Sequence, residues 1–317
     1  MNTDNIEITV LQRIATALER IADSLERTPA VTSAEELPRK VARVFEPVAD
    51  STVETSDARE PSPPPQLTEF LESKGIQIKT VPTPEPADAV LDSLARLIGD
   101  RYAHVAPLLA HIKRTMQHGE PFTMGLRSRP AVEIGSICQL CTRLHDVAFL
   151  VEYTYSKSPC CVLRARPSTL PKAQNFFSGG WLERYVRQIA ESAHAAAQAE
   201  TESTLPFECL ANPQIVLPDG ADFELDVLVR IGVSTIWIEA KTGCYQQHVA
   251  KYARVARLLG LDYDHSFMIL PHVPSHRCEE LGSLFSMTVC NLDSFEDALL
   301  DAVRRDHRAL SATTVAS

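Results

Sequence analysis

No run of about 18 uncharged apolar residues occurs in this 317-residue chain, so nothing in it reads as a membrane-spanning helix. The N-terminus, Met1-Asn2-Thr3-Asp4-Asn5, lacks the basic region and apolar core of a signal peptide, and cytoplasmic residence is expected. Glycine-rich phosphate loops of the Walker or dinucleotide kind are missing, which argues against nucleotide hydrolysis. His248, His265, His272 and His276 show no base–nucleophile arrangement. The 8 cysteines are scattered rather than densely spaced as in a secreted disulfide scaffold, and they read as reduced thiols. Cys138, Cys141 and His145 share a helical face but lack paired zinc-ligand spacing, so they are read as core. Positive charge is scarce as well: 31 Lys and Arg against 41 Asp and Glu give a formal net charge of −10. That balance excludes a chain that coats nucleic acid with its whole surface, although an average can hide a local patch.

Hydrophobic residues make up 44% of the chain, enough for a substantial core and for more than one domain. Leu11, Ile14, Leu18, Ile21 and Leu25 recur at spacings of 3, 4, 3 and 4, which predicts a coiled-coil helix over 6–27 and a homo-oligomer built through it. Residues 28–86 read as a proline-rich acidic linker, with a short helix and strand within 66–81.

Over 87–170 the patterning predicts helices at 87–99, 102–118 and 131–145, then strands at 147–155 and 160–166. Three helices and a two-stranded ribbon are the order of a winged helix, whose third helix normally enters the major groove. From Arg101 to Arg166 there are nine Lys or Arg and four acids. Arg127, Arg129, Arg143, Lys157, Arg164 and Arg166 are therefore candidate phosphate contacts; the plainer reading is ordinary solvated charge.

Residues 171–306 read as one α/β unit followed by a tail, 307–317. A helix at 181–199, a strand within 207–217, a hairpin, a helix at 244–259 ended by Gly260, and a strand at 265–270 give the order α-β-β-β-α-β. A further strand at 287–290 and a helix at 293–306 close it. The hairpin carries the chemistry. Its arms are Glu224-Leu225-Asp226-Val227-Leu228-Val229-Arg230 and Thr235-Ile236-Trp237-Ile238-Glu239-Ala240-Lys241, joined by Ile231-Gly232-Val233-Ser234. Antiparallel counting places Leu228 opposite Trp237, Asp226 opposite Glu239 and Glu224 opposite Lys241. Like charges directly opposed on one face destabilise a sheet, so the paired carboxylates point to a missing cation. Asp226, Glu239 and the carbonyl of Ala240 offer hard oxygen ligands of the kind Mg²⁺ or Mn²⁺ prefers. Lys241 would orient or help deprotonate a water, or stabilise charge on a phosphate.

These residues resemble the PD-(D/E)XK nuclease superfamily, a restriction-endonuclease-like fold whose signature is an Asp ahead of a strand-borne Glu-x-Lys. With Phe176-Phe177-Ser178-Gly179-Gly180-Trp181-Leu182-Glu183 upstream, the segment is similar to the nuclease domain of CARF-domain effectors, the cyclic-oligoadenylate-activated enzymes of CRISPR immunity. The resemblance spans roughly residues 176–270, and no Rossmann-like sensor domain is recognisable ahead of it. It implies an active site of Glu183, Asp226, Glu239 and Lys241, with Mg²⁺ or Mn²⁺ held by Glu183, Asp226, Glu239 and Ala240. It also implies a phosphodiester substrate, DNA rather than RNA, and a role in defence against foreign DNA. Gln247, on the following helix, is a candidate phosphate or water contact, and Glu224 a candidate partner for Lys241. The rival readings are a catalytically inactive DNA-binding regulator and an oligomeric scaffold.

Overall fold

The computed structural model describes residues 63–316 apart from positions 159, 202, 203 and 244. The coiled-coil helix expected at 6–27, and the linker up to residue 62, lie outside the described residues.

The first described helix, α1 (Pro65–Ser73), opens with proline and buries Leu67 and Leu71, four residues apart and so on one face. Its start is held by a carboxylate from far along the chain: the amides of Gln66 and Leu67 donate to Glu208 at 3.2 and 2.9 Å. Negative charge is favourable there because the helix dipole ends positive. β1 (Gln77–Thr80) follows. The short helix and strand foreseen within 66–81 therefore form, and both dock on the α/β unit rather than standing in a free linker.

A helical layer comes next: α2 (Asp88–Asp100), α3 (Tyr102–Thr115) and α4 (Ala131–Asp146). It is completed by β2 (Phe122–Gly125), β3 (Leu150–Ser156) and β4 (Val162–Pro167), which pair antiparallel in the order β2-β4-β3. The sequence reading missed β2, whose four residues alternate buried and exposed between α3 and α4. The ribbon thus has three strands, and a strand rather than a tight turn connects the two helices.

α5 (Pro171–Asn175) runs through a wider helical turn, Phe176–Gly180, into α6 (Trp181–Ala199). α6 packs directly on α2. A Cβ on Gly99 would lie 2.2 Å from the Tyr185 ring, so only glycine permits this approach. Arg184 bridges Asp88 and Asp92 at 2.6 and 2.7 Å, and Arg187 reaches Asp92 at 2.7 Å. One buried cluster runs from Val90 on α2 through α6 to Phe295, crossing the expected boundary at 170/171.

The α/β unit holds β5 (Phe207–Ala211), β6 (Gln214–Val216), β7 (Asp222–Glu224), β8 (Val227–Ile231), β9 (Ser234–Ala240), α7 (Val249–Leu259), β10 (Ser266–Ile269), α8 (Ser275–Phe285), β11 (Thr288–Cys290) and α9 (Phe295–Ala316). Its main sheet is ordered β11-β10-β9-β8-β5, parallel across β9, β10 and β11 and antiparallel elsewhere. The elements α6, β5, β8, β9, α7 and β10 follow the foreseen α-β-β-β-α-β order. β1, β6 and β7 make a separate small sheet.

All seven residues of β9 are buried, since the sheet is covered on both faces. Ile236 and Ile238 enter the core shared with α6, whereas Trp237 enters a second core with Leu228, Tyr252 and Met268. Burying each such side chain contributes roughly 1.5 to 3 kcal/mol. The hairpin closes through Gly232 and Val233, with Gly232 at φ +60°, as a two-residue turn with glycine first requires.

Several expectations are corrected. Glu224 does not face Lys241: it belongs to β7 and pairs with Gln214. The strand foreseen within 207–217 breaks at Asn212, which takes φ +53° ahead of Pro213 and sends β6 into the small sheet. The helix foreseen at 244–259 starts as a short 3-10 turn, Gln246–His248, before α7. α8 was not foreseen. The tail foreseen from 307 is helical through Ala316, there being no glycine or proline to stop α9. Among the described residues no helix is long and apolar enough to cross a membrane.

The closing helix is tied to the sheet through His265. Its ring bonds Asp262 at 2.6 Å and Asp306 at 2.7 Å, and Asp306 also accepts the Ser234 hydroxyl at 2.6 Å. Burial would lower the His265 pKa, but the bonds and charges of Asp306 and Asp262 outweigh it and leave the pKa raised. A raised histidine contributes stability below its unfolded pKa of about 6.5 and loses it as pH rises through the folded value. His265→Ala should therefore lower the urea midpoint at about pH 6 and have a smaller effect at about pH 9.

Candidate active site

β8 and β9 bring the acids together with the register expected for their apolar residues: Leu228 lies opposite Trp237 and Arg230 opposite Thr235. The ladder ends at Val227 and Ile238, one residue short of the foreseen Asp226–Glu239 rung. Asp226 instead turns its Oδ2 to the Ala240 amide, accepting at 2.7 Å. Lys241 Nζ then stands between the two carboxylates, 2.9 Å from Asp226 Oδ2 and 2.6 Å from Glu239 Oε1. Asp226 and Glu239 are only 5% and 2% exposed.

Glu183 comes from the first turn of α6. Its Oε2 accepts from the Asn212 side chain at 2.7 Å, and the Asn212 amide donates to the Asp226 carbonyl at 2.9 Å. Asn212 is thus both the bend between two sheets and the link between two acids. Tyr252 on α7 closes another side, its ring 5.6 Å from Lys241 Nζ. Neither residue figured in the sequence reading. The Asn212-Pro213 pair was the available signal, because asparagine tolerates the left-handed conformation that such a bend needs.

Burial, then the charge of Asp226, raises the Glu239 pKa to about 8 against the opposing pull of Lys241. Burial likewise raises Asp226 against Lys241 and the Ala240 amide. Glu183 is raised by burial and by Asp226, with the Asn212 bond opposing. For Lys241 burial would lower the pKa, but Glu239 and Asp226 outweigh it and raise the pKa well above the ordinary lysine value. Burial thus favours the protonated forms of the three acids, whereas the neighbouring carboxylates favour the charged form of Lys241. A pKa raised in this way favours the ammonium, which suits an orienting or charge-stabilising group better than a base.

Among the described residues no three His, Cys, Asp or Glu side chains are gathered as a ready metal cage. Lys241 occupies the space between two of the carboxylates, and Asn212 holds the third. The donors nonetheless suit a hard divalent cation: all are oxygens, and Glu239 Oε2 is buried with no hydrogen-bond partner. The foreseen role of Ala240 rested on its carbonyl; here its amide is what fixes Asp226. The Gln247 side chain lies outside the described residues.

Glu183, Ala240 and Lys241 line a cavity of about 1040 Å³, together with Glu224, Lys172, Arg184 and Arg187. None of the six arginines and lysines proposed for nucleic-acid contact lines it. Arg164 and Arg166 share one face of β4, Arg166 paired with Glu152 at 2.6 Å. Arg129 pairs with Glu133, and Arg143 donates to Ser93 at 3.1 Å. Arg127 and Lys157 are exposed on the loops after β2 and β3.

No protein-family model and no curated protein matches the chain. Among solved structures it is similar to Can2 from Sulfobacillus thermosulfidooxidans, determined in complex with cyclic tetra-adenylate. The TM-score is 0.51 at 15% identity, covering 75% of this chain and 61% of that one. Protein VC1899 from Vibrio cholerae aligns with a TM-score of 0.48 at 18% identity, over 75% of this chain and 60% of that one. This chain therefore spans only 60–61% of the length of either neighbour. The likeness to Can2 is one of fold.

Removing the cation from the cluster tests its electrostatics. Breaking a buried pair by deleting one partner costs about 3 to 5 kcal/mol. Carboxyls with raised pKa destabilise progressively as pH rises from their unfolded values, about 4, through the folded ones. Lys241→Ala should thus lose about 3 kcal/mol by urea unfolding near pH 8.5, and markedly less near pH 5.5, below the raised Glu239 pKa of about 8.

Proposed function

We propose that the chain is a metal-dependent nuclease of the PD-(D/E)XK kind that hydrolyses phosphodiester bonds in nucleic acid, DNA rather than RNA. The observation that carries this reading is the Lys241 ammonium bonded to the buried Asp226 and Glu239 at the end of β9, beside a cavity that Lys241 and Glu183 line, with a buried Glu239 oxygen left without a hydrogen bond. The α-β-β-β-α-β order and the fold likeness to Can2 support it. Glu183, Asp226, Glu239 and the Ala240 carbonyl would hold Mg²⁺ or Mn²⁺. Such an ion, when bound, supplies Lewis acidity toward a phosphoryl oxygen and acidifies water.

The protein groups do the rest. Glu239 would serve as a ligand in its carboxylate form, and the Ala240 amide fixes Asp226 Oδ2. Lys241, which also lines the cavity, would offer its ammonium to the non-bridging oxygens of a scissile phosphate, where charge develops in the transition state. In this reading the layer from α2 to β4 acts as a winged helix that holds DNA through Arg127, Arg129, Arg143, Lys157, Arg164 and Arg166. Residues 6–27 join copies of the chain, and the activity serves defence against foreign DNA.

One observation favours a different reading: Lys241 fills the space between Asp226 and Glu239, as in a nuclease relic that binds DNA without cutting it. One assay separates the two. Single- and double-stranded DNA and RNA are incubated with Mg²⁺ or Mn²⁺ and wild type, Asp226→Asn or Lys241→Ala. Wild type should cleave DNA, and each variant should be slower by at least about 100-fold. Equal cleavage by all three, or none by wild type, overturns the assignment. Deleting residues 1–27 should reduce the mass measured by light scattering to that of a smaller assembly.

A further inference from the structure

A lysine from outside the α-β-β-β-α-β set enters the site from behind. Lys113, near the end of α3, donates its Nζ to Thr242 Oγ1 at 2.7 Å and to the Thr242 carbonyl at 3.2 Å. The Thr242 hydroxyl in turn donates to the Ser178 carbonyl at 2.5 Å. Thr242 directly follows Lys241. Ser178 lies in the wide turn that launches α6 and sits one turn ahead of Glu183. The Thr242 hydroxyl therefore ties together the two backbone segments that carry Lys241 and Glu183, and the Lys113 ammonium holds Thr242 in place from both its hydroxyl and its carbonyl.

The charge on Lys113 needs a reason of its own. The residue is part-buried, and burial alone accounts for the lowering of its pKa. Among the described residues no carboxylate pairs with it. Burying a cation without a counter-charge is costly, and a neutral donor such as glutamine would bond Thr242 without that cost. An ammonium satisfies two Thr242 acceptors at once, the hydroxyl oxygen and the carbonyl.

We infer that Lys113 is a positioning residue of this site: by holding Thr242, whose hydroxyl bonds Ser178, it fixes the spacing between the Lys241 segment and the start of α6. Only the kinetic readout of this inference rests on the nuclease reading. The helical layer then belongs to the reactive centre as well as to nucleic-acid holding.

The test compares wild type, Lys113→Met, which keeps the length and volume of the stem, and Lys113→Arg, which restores a cationic donor. Cleavage of a DNA oligonucleotide in Mn²⁺ gives kcat and KM, and amide hydrogen exchange is followed by mass spectrometry. Lys113→Met should lower kcat by about 10- to 100-fold with KM changed by less than about 2-fold, because substrate would still bind to a misaligned site. Exchange should rise in residues 176–183 and 241–243 together and not elsewhere. Lys113→Arg should recover most of both. Unchanged kcat, a loss confined to KM, or exchange raised across the whole chain overturns the inference. Should wild type fail to cleave, the nuclease reading falls, and exchange decides the positioning role alone: a rise in neither segment, or in only one, overturns it.

Discussion

Lys241, held between the buried carboxylates of Asp226 and Glu239, is the contact on which the remaining architecture depends. Desolvating an ion costs several kcal/mol even after relaxation, and mutual attraction offsets it only when the geometry is tight. Three such groups therefore require a rigid frame. β9 supplies it by being buried along its whole length, with Ile236 and Ile238 packed on one side and Trp237 on the other. Phe223 and Tyr252 meet the Trp237 ring edge-on at 6.3 Å each, so the strand has little freedom to twist the acids apart. Burial that raises the Glu239 pKa to about 8 lessens the charge this buried set must carry near neutrality.

The same frame explains why the helical layer and the α/β unit share one core. Glu183 rides on α6, and α6 is seated by α2 through the Gly99–Tyr185 contact and the Arg184 and Arg187 ion pairs. Those pairs also line the cavity mouth, so much of its positive charge is already answered by Asp88 and Asp92. At about 1040 Å³ the cavity lies just above the range of roughly 300 to 1,000 Å³ common for small-ligand sites. From the other side α1 and β1 brace the sheet through Glu208 and the small sheet with β6.

Much of the fold was legible because its signals are local. The Leu228–Trp237 register follows from alternation and a two-residue turn. The glycine end of α7 and the capping run before α9 rest on neighbours in sequence, Gly260 and Asn291–Ser294. The same logic misread Glu224. Period-two patterning continues unbroken through Leu225 and Asp226, yet the chain changes sheets there, and alternation carries no mark of which partner strand is next. β2, β6 and β7 are only three or four residues long, too short for periodicity to stand out.

The sequence by itself determined that Asp226, Glu239 and Lys241 would lie close together, because a tight hairpin and the geometry of a strand bring residues this near in the chain onto one end. Tertiary structure decided how they meet. The Lys241 bridge, the Asn212 link to Glu183 and the reach of Lys113 to Thr242 join positions that are 15, 29 and 129 residues apart. Contacts of that span are set by how α3, α6 and the sheet pack, and packing is a property of the whole core rather than of any segment's pattern.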